Sequence, residues 1–213
     1  MRDPNKEKIR KKNLTASSKK WLERQINDPF VHKAKADGYR SRAAYKIIEI
    51  QEKYRIIKRG MVVVDLGAAP GGWSQVVSTM LKDNGKVYAI DLLPMDPLPG
   101  VEFFEGDFNS IFDKLDDKVD VILSDMAPSS CGIKSIDHIR IMSLLEEVFD
   151  FAKDHLKENG SLVAKVLRGG TEAKLLSELK RSFKKVSHFK PQSSRSESTE
   201  IYVVAQGFRM ALS

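Results

Sequence analysis

Val62-Val63-Val64-Asp65-Leu66-Gly67-Ala68-Ala69-Pro70-Gly71-Gly72-Trp73 is the stretch from which the rest of the chain is read. Its valine run predicts a buried parallel strand, its glycines a tight turn, and the following Ser74-Gln75-Val76-Val77-Ser78-Thr79-Met80-Leu81 a helix. In an open α/β sheet the ligand crevice lies where such a strand ends. Working outward, Lys86-Val87-Tyr88-Ala89-Ile90-Asp91 is a second apolar strand. It closes on an acid about 20 residues past the glycine turn, the place of a ribose-binding carboxylate in nucleotide folds. Together they predict an adenosine site. A dinucleotide fits poorly, because the turn lacks G-x-G-x-x-G spacing, Pro70 has no N–H to offer, and Asp65 would set a carboxylate near a pyrophosphate. A ligand carrying an ammonium and a sulfonium suits that carboxylate, which points to S-adenosyl-L-methionine.

At 213 residues, 41% apolar and 31% charged, the chain suits one domain with a full core and an added terminal arm. No apolar run is long enough for a bilayer, the start lacks the apolar core of a secretory signal, and Asp3, Pro4 and Glu7 argue against a transit peptide. A cytoplasmic protein with no membrane partner is expected, most simply a monomer. The lone Cys131 allows no internal disulfide and reads as a packed side chain. Four scattered histidines give no metal-ligand spacing, so no metal is expected. The net charge of +7 is uneven: residues 1–60 carry 18 Lys+Arg against 7 Asp+Glu (net +11), and the other 153 carry 18 against 22 (net −4). A basic third of this kind suits contact with a polyanion, and equally a solvated tail.

Residues 1–16 read as a mobile basic arm and Ser17 to Ile26 as a short helix behind a serine cap, ended by Asp28-Pro29. Between Val31 and Arg40 cations surround Tyr39, a composition for phosphate contact and base stacking. Ser41 is expected to cap a helix to Tyr54 with Ala43, Ala44, Ile47, Ile48 and Ile50 inward, and Lys46 beside that face reads as a snorkelling surface residue. The proline-rich loop Leu92 to Gly100 suits a ligand cover. Val101 to Phe104 is a third strand, and Gly106-Asp107-Phe108 at its end places an acid and an aromatic where an adenine would lie, although Asp107 is also a helix-cap candidate. Val119 to Asp125 is a fourth strand whose terminal acid faces the same crevice. Ile136 to Leu156 is an amphipathic helix with Ile139, Met142, Leu145, Val148, Phe149 and Ala152 inward, stopped by Lys157-Glu158-Asn159-Gly160. Ser161 to Leu167 is a strand interrupted by Lys165, whose buried ammonium is costly unless it is paired or chemically employed. A helix over Thr171–Phe183, an edge strand over Lys185–Phe189, a polar loop and a last strand opening on Glu200 complete the chain.

Read together, Ser41-Arg42-Ala43-Ala44-Tyr45-Lys46, the turn from Asp65 to Gln75, Asp91-Leu92-Leu93-Pro94-Met95-Asp96, Ser124-Asp125-Met126-Ala127-Pro128, Lys165-Val166 and Ser193-Ser194-Arg195-Ser196-Glu197-Ser198-Thr199-Glu200 resemble the FtsJ-type ribosomal RNA 2′-O-methyltransferases. The likeness runs from about Ser17 to the C-terminus. It implies a Rossmann-like S-adenosylmethionine-dependent methyltransferase fold of class α/β, a seven-stranded, mostly parallel sheet with an antiparallel last strand. Residues 1–40 then form a partly mobile basic extension and 41–213 the methyltransferase domain. The family's Lys-Asp-Lys-Glu tetrad carries over as Lys46, Asp125, Lys165 and Glu200. Its cofactor contacts fall on Gly71, Trp73, Asp91, Asp107 and Asp125, with Gly67 and Phe108 lining the pocket. The resemblance further implies methylation of a uridine ribose in the A loop of 23S ribosomal RNA within the large ribosomal subunit, Lys165 acting as general base and Arg195 with the basic arm meeting phosphates. A sibling enzyme acting on transfer RNA or an mRNA cap, and a non-catalytic ribosome assembly factor, remain the alternatives.

Overall fold

The computed structural model describes residues 15–111, 118–128, 131–168 and 173–210, so most of the expected N-terminal arm lies outside the described residues. Helix α1 (Ala16–Ile26) is capped by Thr15 rather than a serine, its Oγ1 accepting from Ser18 N at 3.1 Å. Asp28-Pro29 both ends α1 and begins α2 (Pro29–Ala36): the Asp28 carboxylate accepts from Phe30 N at 3.0 Å and Pro29 occupies the first turn, where a missing N–H costs nothing. The basic stretch after Pro29 is therefore mostly helix. Ser41 does not cap α3 (Ala44–Tyr54). Residues 41–43 form a turn, Ala43 is the cap residue with no side-chain bond, and the Ser41 Oγ is buried without a partner, close against Gly72.

Seven strands make one sheet in the order β3-β2-β1-β4-β5-β7-β6. They are β1 (Val62–Leu66), β2 (Lys86–Asp91), β3 (Val101–Glu105), β4 (Val119–Ser124), β5 (Leu156–Leu167), β6 (Phe183–Phe189) and β7 (Glu200–Phe208). The pairs among β1 to β5 are parallel, and β7 runs antiparallel between β5 and β6. Helices α4 (Gly72–Leu81), α5 (Phe108–Ile111), α6 (Lys134–His155) and α7 (Ala173–Ser182) fill the connections. The period-2 alternation of a strand buried on both faces sorts its residues into two cores. Val64, Ile122 and Leu162 join the core under α6 and α7, whereas Val63, Leu123 and Val163 join the core under α3 and α4.

Three expectations need correction. Ile139 is 61% exposed, because the buried stripe of α6 runs through Ile141, Met142, Leu145 and Val148. Cys131 is exposed, not packed. α6 ends at His155 and β5 already pairs with β4 at Leu156. It then bulges through Asn159 at φ 64° before the ladder resumes at Ser161.

Candidate active site

Strand parity brings the four tetrad positions together. Val163 and Lys165 share the sheet face that carries α3, as do Leu123 and Asp125 on β4 and its extension, and Tyr202 and Val204 on β7. Ser124 pairs with Ala164, which sets Asp125 beside Lys165, and Lys165 pairs directly with Tyr202. Because β7 is antiparallel, its first residue, Glu200, lies at the edge where β4 and β5 end. Lys46 reaches the same place from α3 and is 9% exposed, so the snorkelling reading fails: it is buried and paired.

Lys165, 8% exposed, donates to the Asp125 carbonyl oxygen at 2.5 Å and to its Oδ1 at 3.0 Å. The Lys46 ammonium stands 3.5 Å from Asp125 Oδ2 and 3.6 Å from Glu200 Oε2, ion-paired to both without a tight hydrogen bond. A fifth member is Tyr202, fully buried, whose hydroxyl donates to Asp125 Oδ1 at 2.6 Å. Burial works against the Asp125 carboxylate, but Lys165, Lys46 and the Tyr202 hydrogen bond outweigh it and hold its pKa below the usual aspartate range. Burial, then the Asp125 charge, pushes Tyr202 well above an ordinary tyrosine, which makes it a fixed donor. Tyr202 reads in sequence as one more apolar strand residue; its place opposite Lys165 is visible only once β5 and β7 are paired.

Asp125 borders a cavity of about 630 Å³ that also meets Gly67, Asp91, Asp107 and Phe108, so five of the expected cofactor residues share one wall system. Gly67 has φ 75°, and a Cβ there would come within 2.5 Å of the Met126 side chain, so only glycine fits. The Asp91 carboxylate accepts from Ala69 N and Leu93 N, both at 2.9 Å, which locks the turn and the loop to the end of β2. Asp107 caps α5 through Asn109 N at 2.8 Å, as its cap reading expects, and it also borders the cavity. Leu92 and Leu93 stand exposed at the mouth.

Gly71 and Trp73 fall outside this wall. Trp73 is 3% exposed, its ring tilted against Tyr202 and its Nε1 donating to Ala43 O at 2.8 Å. A Cβ on Gly71 would meet Arg40 and Met95 at 2.9 Å, so that residue faces the proline-rich loop. Gly71 already gives its N–H to Ala68 O at 2.6 Å, so of the two only Trp73 can offer a ligand a backbone N–H, in the first turn of α4, where such groups have no intrahelical acceptors.

Asp65 is not a carboxylate facing the crevice. Its Oδ2 accepts from Ser74 Oγ at 2.6 Å, its Oδ1 is buried without a partner, and burial pushes its pKa up to about 7. The charge argument made from it therefore passes to Asp91, Asp107 and Asp125. Arg40, expected at phosphates, instead donates to Pro70 O (3.3 Å), Asp96 O (2.6 Å) and Pro97 O (2.7 Å), pinning the loop over the glycine turn. Arg195 gives its Nε to Asp28 at 3.0 Å, an acid that also pairs with Arg42. Among the described residues no cluster of His, Cys, Asp and Glu could hold a metal ion, and no helix is long and apolar enough to cross a membrane.

Residues 39–208 match the FtsJ-like methyltransferase family. Curated relatives named ribosomal RNA large subunit methyltransferase E include one from Rickettsia felis, 51% identical over 91% of this chain and 90% of that protein, and one from Rickettsia akari, 52% identical over the same shares. A crystal structure described as a ribosomal RNA methyltransferase from Plasmodium falciparum is 35% identical and superposes with a TM-score of 0.72 over 80% of this chain and 98% of that one. The fibrillarin/Nop5p complex, 21% identical with a TM-score of 0.55, shares the fold. With a family match over residues 39–208 and relatives 51% and 52% identical over 91% of its length, the chain belongs to the FtsJ-like methyltransferase family.

Proposed function

We propose that the chain methylates the 2′-hydroxyl of a uridine ribose in the A loop of 23S ribosomal RNA, on the large ribosomal subunit, with S-adenosyl-L-methionine as donor and Lys165 as general base. The observation that carries the chemistry is the position of Lys165. Lys165 lines, with Glu200, a second cavity of about 670 Å³ that shares Ala127 and Pro128 with the 630 Å³ one, and its Nζ bonds Asp125, which borders the latter. The names of the Rickettsia relatives support large-subunit ribosomal RNA as the substrate, and the uridine ribose and the A loop rest on the motif resemblance.

The first cavity fits the donor. Asp91 can accept from ribose hydroxyls and Asp107 from an adenine amino group, with Leu92, Leu93 and Phe108 against the base. First-turn N–H groups of Gly72 and Trp73 suit the carboxylate of the methionine part. When bound, S-adenosylmethionine supplies an electrophilic methyl on a sulfonium, next to which the Asp125 carboxylate is a favourable charge.

In the second cavity a ribose hydroxyl is a weak nucleophile until its proton has somewhere to go. A neutral Lys165 amine has two N–H bonds. Both are taken by Asp125 O and Oδ1, which leaves the lone pair for the hydroxyl proton. Lys46, held between Asp125 and Glu200, keeps donors for the ribose oxygen, and Glu200 accepts from a neighbouring hydroxyl. Asp125 orients Lys165 and is itself held by Tyr202.

The test is to incubate the protein with labelled methyl donor and, separately, large subunits, small subunits, free ribosomal RNA and transfer RNA, then digest and identify the nucleoside. Label in 2′-O-methyluridine from large subunits is expected. Label confined to transfer RNA, or none in any RNA, refutes the proposal.

A further inference from the structure

Three cavities run end to end from the tetrad towards the N-terminal helices. The one beside Lys165 shares Leu167, Thr199 and Glu200 with a groove of about 460 Å³. That groove shares Arg24, Arg42, Arg195 and Glu197 with a third, open cavity of about 820 Å³ between the α1–α2 corner and residues 190–197. Its size is in the roughly 300–1,000 Å³ range of sites that hold a nucleotide-sized ligand. Pro29, Phe30 and Pro191 give it an apolar floor; its charged lining is four cations, Arg24, Arg42, Lys190 and Arg195, against three acids, Glu23, Asp28 and Glu197.

Two polar groups in its wall are buried without partners, Arg195 Nη2 and the Oγ of Ser194, a residue 8% exposed. Leaving such groups unsatisfied costs free energy, and both are of the kind that a phosphate or a base edge satisfies. Arg42, by contrast, is engaged by Asp28 and Ser193 O. Asp28 in turn is paired with Arg42 and Arg195, so its charge does not repel an anion. The wall is rigid, because the Glu49 carboxylate accepts from Gln192 N at 2.5 Å and Ser193 N at 2.8 Å.

We infer that this third cavity docks the nucleotide adjacent to the methylated one, in an unpaired RNA segment. The phosphate between the two crosses the groove at Arg24 and the exposed part of the Arg195 guanidinium, and the neighbouring base packs on Phe30 and Pro29. The inference deepens the RNA methyltransferase reading, on which it rests. A base packed on Phe30 and Pro29 has left its stack, so the substrate is a single-stranded segment and not a duplex.

Binding of a fluorescent single-stranded oligoribonucleotide of about nine residues, centred on a uridine, tests this by anisotropy and does not depend on turnover. Arg24 is exposed on α1, so Arg24→Glu leaves the core untouched. The expected result is a Kd raised roughly tenfold, as for loss of one charge-assisted contact, and a log Kd against log salt slope shallower by about 0.7. Affinity for S-adenosylmethionine stays at the wild-type value. An oligonucleotide with an abasic residue on one side of the uridine binds the wild type more weakly than the intact strand. Wild-type Kd for Arg24→Glu, or equal binding of intact strands and strands abasic on either side, overturns the inference. Absence of methyl transfer by a protein that passes these binding tests counts against the enzymatic reading alone.

Discussion

Lys165→Arg separates the two things Lys165 can supply, a positive charge and a site for a proton. A guanidinium stays protonated at any working pH, so the variant keeps a cation for Asp125 and cannot accept the hydroxyl proton. Loss of a general base costs about 10² to 10⁴ in rate, or about 3–5.5 kcal/mol of barrier. Lys165→Met removes the charge as well. Breaking a buried pair costs about 3–5 kcal/mol when the remaining charge is stranded. Here Asp125 keeps Tyr202 at 2.6 Å and Lys46 at 3.5 Å, and its side chain is 18% exposed. The loss of stability should therefore be nearer about 1–3 kcal/mol. Single-turnover methyl transfer with labelled donor, calorimetric titration of S-adenosylmethionine and urea unfolding read the three quantities separately. Both variants should bind the donor within a few-fold of wild type and lose at least about 100-fold in turnover, with only the methionine variant clearly destabilised. Turnover by Lys165→Arg within tenfold of wild type would refute the reasoning, because it would mean that the site needs only a cation there.

Tyr202→Phe deletes one hydrogen bond to a charged acceptor and leaves no polar group stranded, so urea unfolding should show a loss of about 1.5–3 kcal/mol. Turnover should fall while donor affinity holds, and unchanged turnover would show that Lys165 and Lys46 position Asp125 alone. Asp65 titrates at about 7 in the fold against about 3.9 in an unfolded chain, so across that window the folded state keeps a proton that the unfolded chain has released. Its penalty grows with rising pH and is complete above about 7, of order 4 kcal/mol. Asp65→Asn should accordingly gain stability relative to wild type between about pH 4 and 8, read from paired urea midpoints; a constant difference would mean that Asp65 is ionised and solvated. Arg40→Ala frees the three carbonyls that tie the proline-rich loop to the glycine turn. It should weaken donor binding several-fold in calorimetry with RNA affinity unchanged, and the reverse pattern would return Arg40 to the RNA surface.

What was legible in the sequence was whatever rested on local periodicity and on the order of short motifs. The valine run of β1, the acids ending β2 and β4 and the lysine inside β5 could each be placed on an element without coordinates, and strand ends are where an α/β sheet presents its ligands. Less legible was anything set by partners distant in sequence. Ser41 has the chemistry of a cap, yet the chain turns at 41–43 and its hydroxyl packs against Gly72 instead. Arg40 and Asp96 are 56 residues apart, and nothing in either segment announces the clamp. Trp73 follows the glycine turn immediately, but a helix entering at that angle carries its indole into the core, where only the backbone is left for a ligand. Ile139 misled for a simpler reason: at 3.6 residues per turn a long helix offers several apolar stripes, and the sheet takes only one.

The direction of β7 is what makes the tetrad possible. In a wholly parallel sheet the start of every strand lies at the edge opposite the ligand crevice, and a residue at the first position of β7 could not approach the ends of β4 and β5. Inserted antiparallel between β5 and β6, β7 begins where they end, with Glu200 opposite Leu167 and Tyr202 opposite Lys165. Alternation then points both Glu200 and Tyr202 to the face that α3 covers, from which Lys46 comes. A register slip of one residue would turn both side chains to the α6 side and leave Asp125 with neither its hydroxyl donor nor the second carboxylate that holds Lys46. The loop before β7 is correspondingly anchored at several points, by Glu49 at Gln192 and Ser193, by Arg42 at Ser193 O, and by Lys190, whose ammonium donates to Ser198 O at 2.8 Å. The same bonds that fix the register form a wall of the 820 Å³ cavity. The seat of Glu200 and Tyr202 and the surface proposed for the neighbouring nucleotide are therefore one anchored segment, and a substitution that loosens either should disturb both.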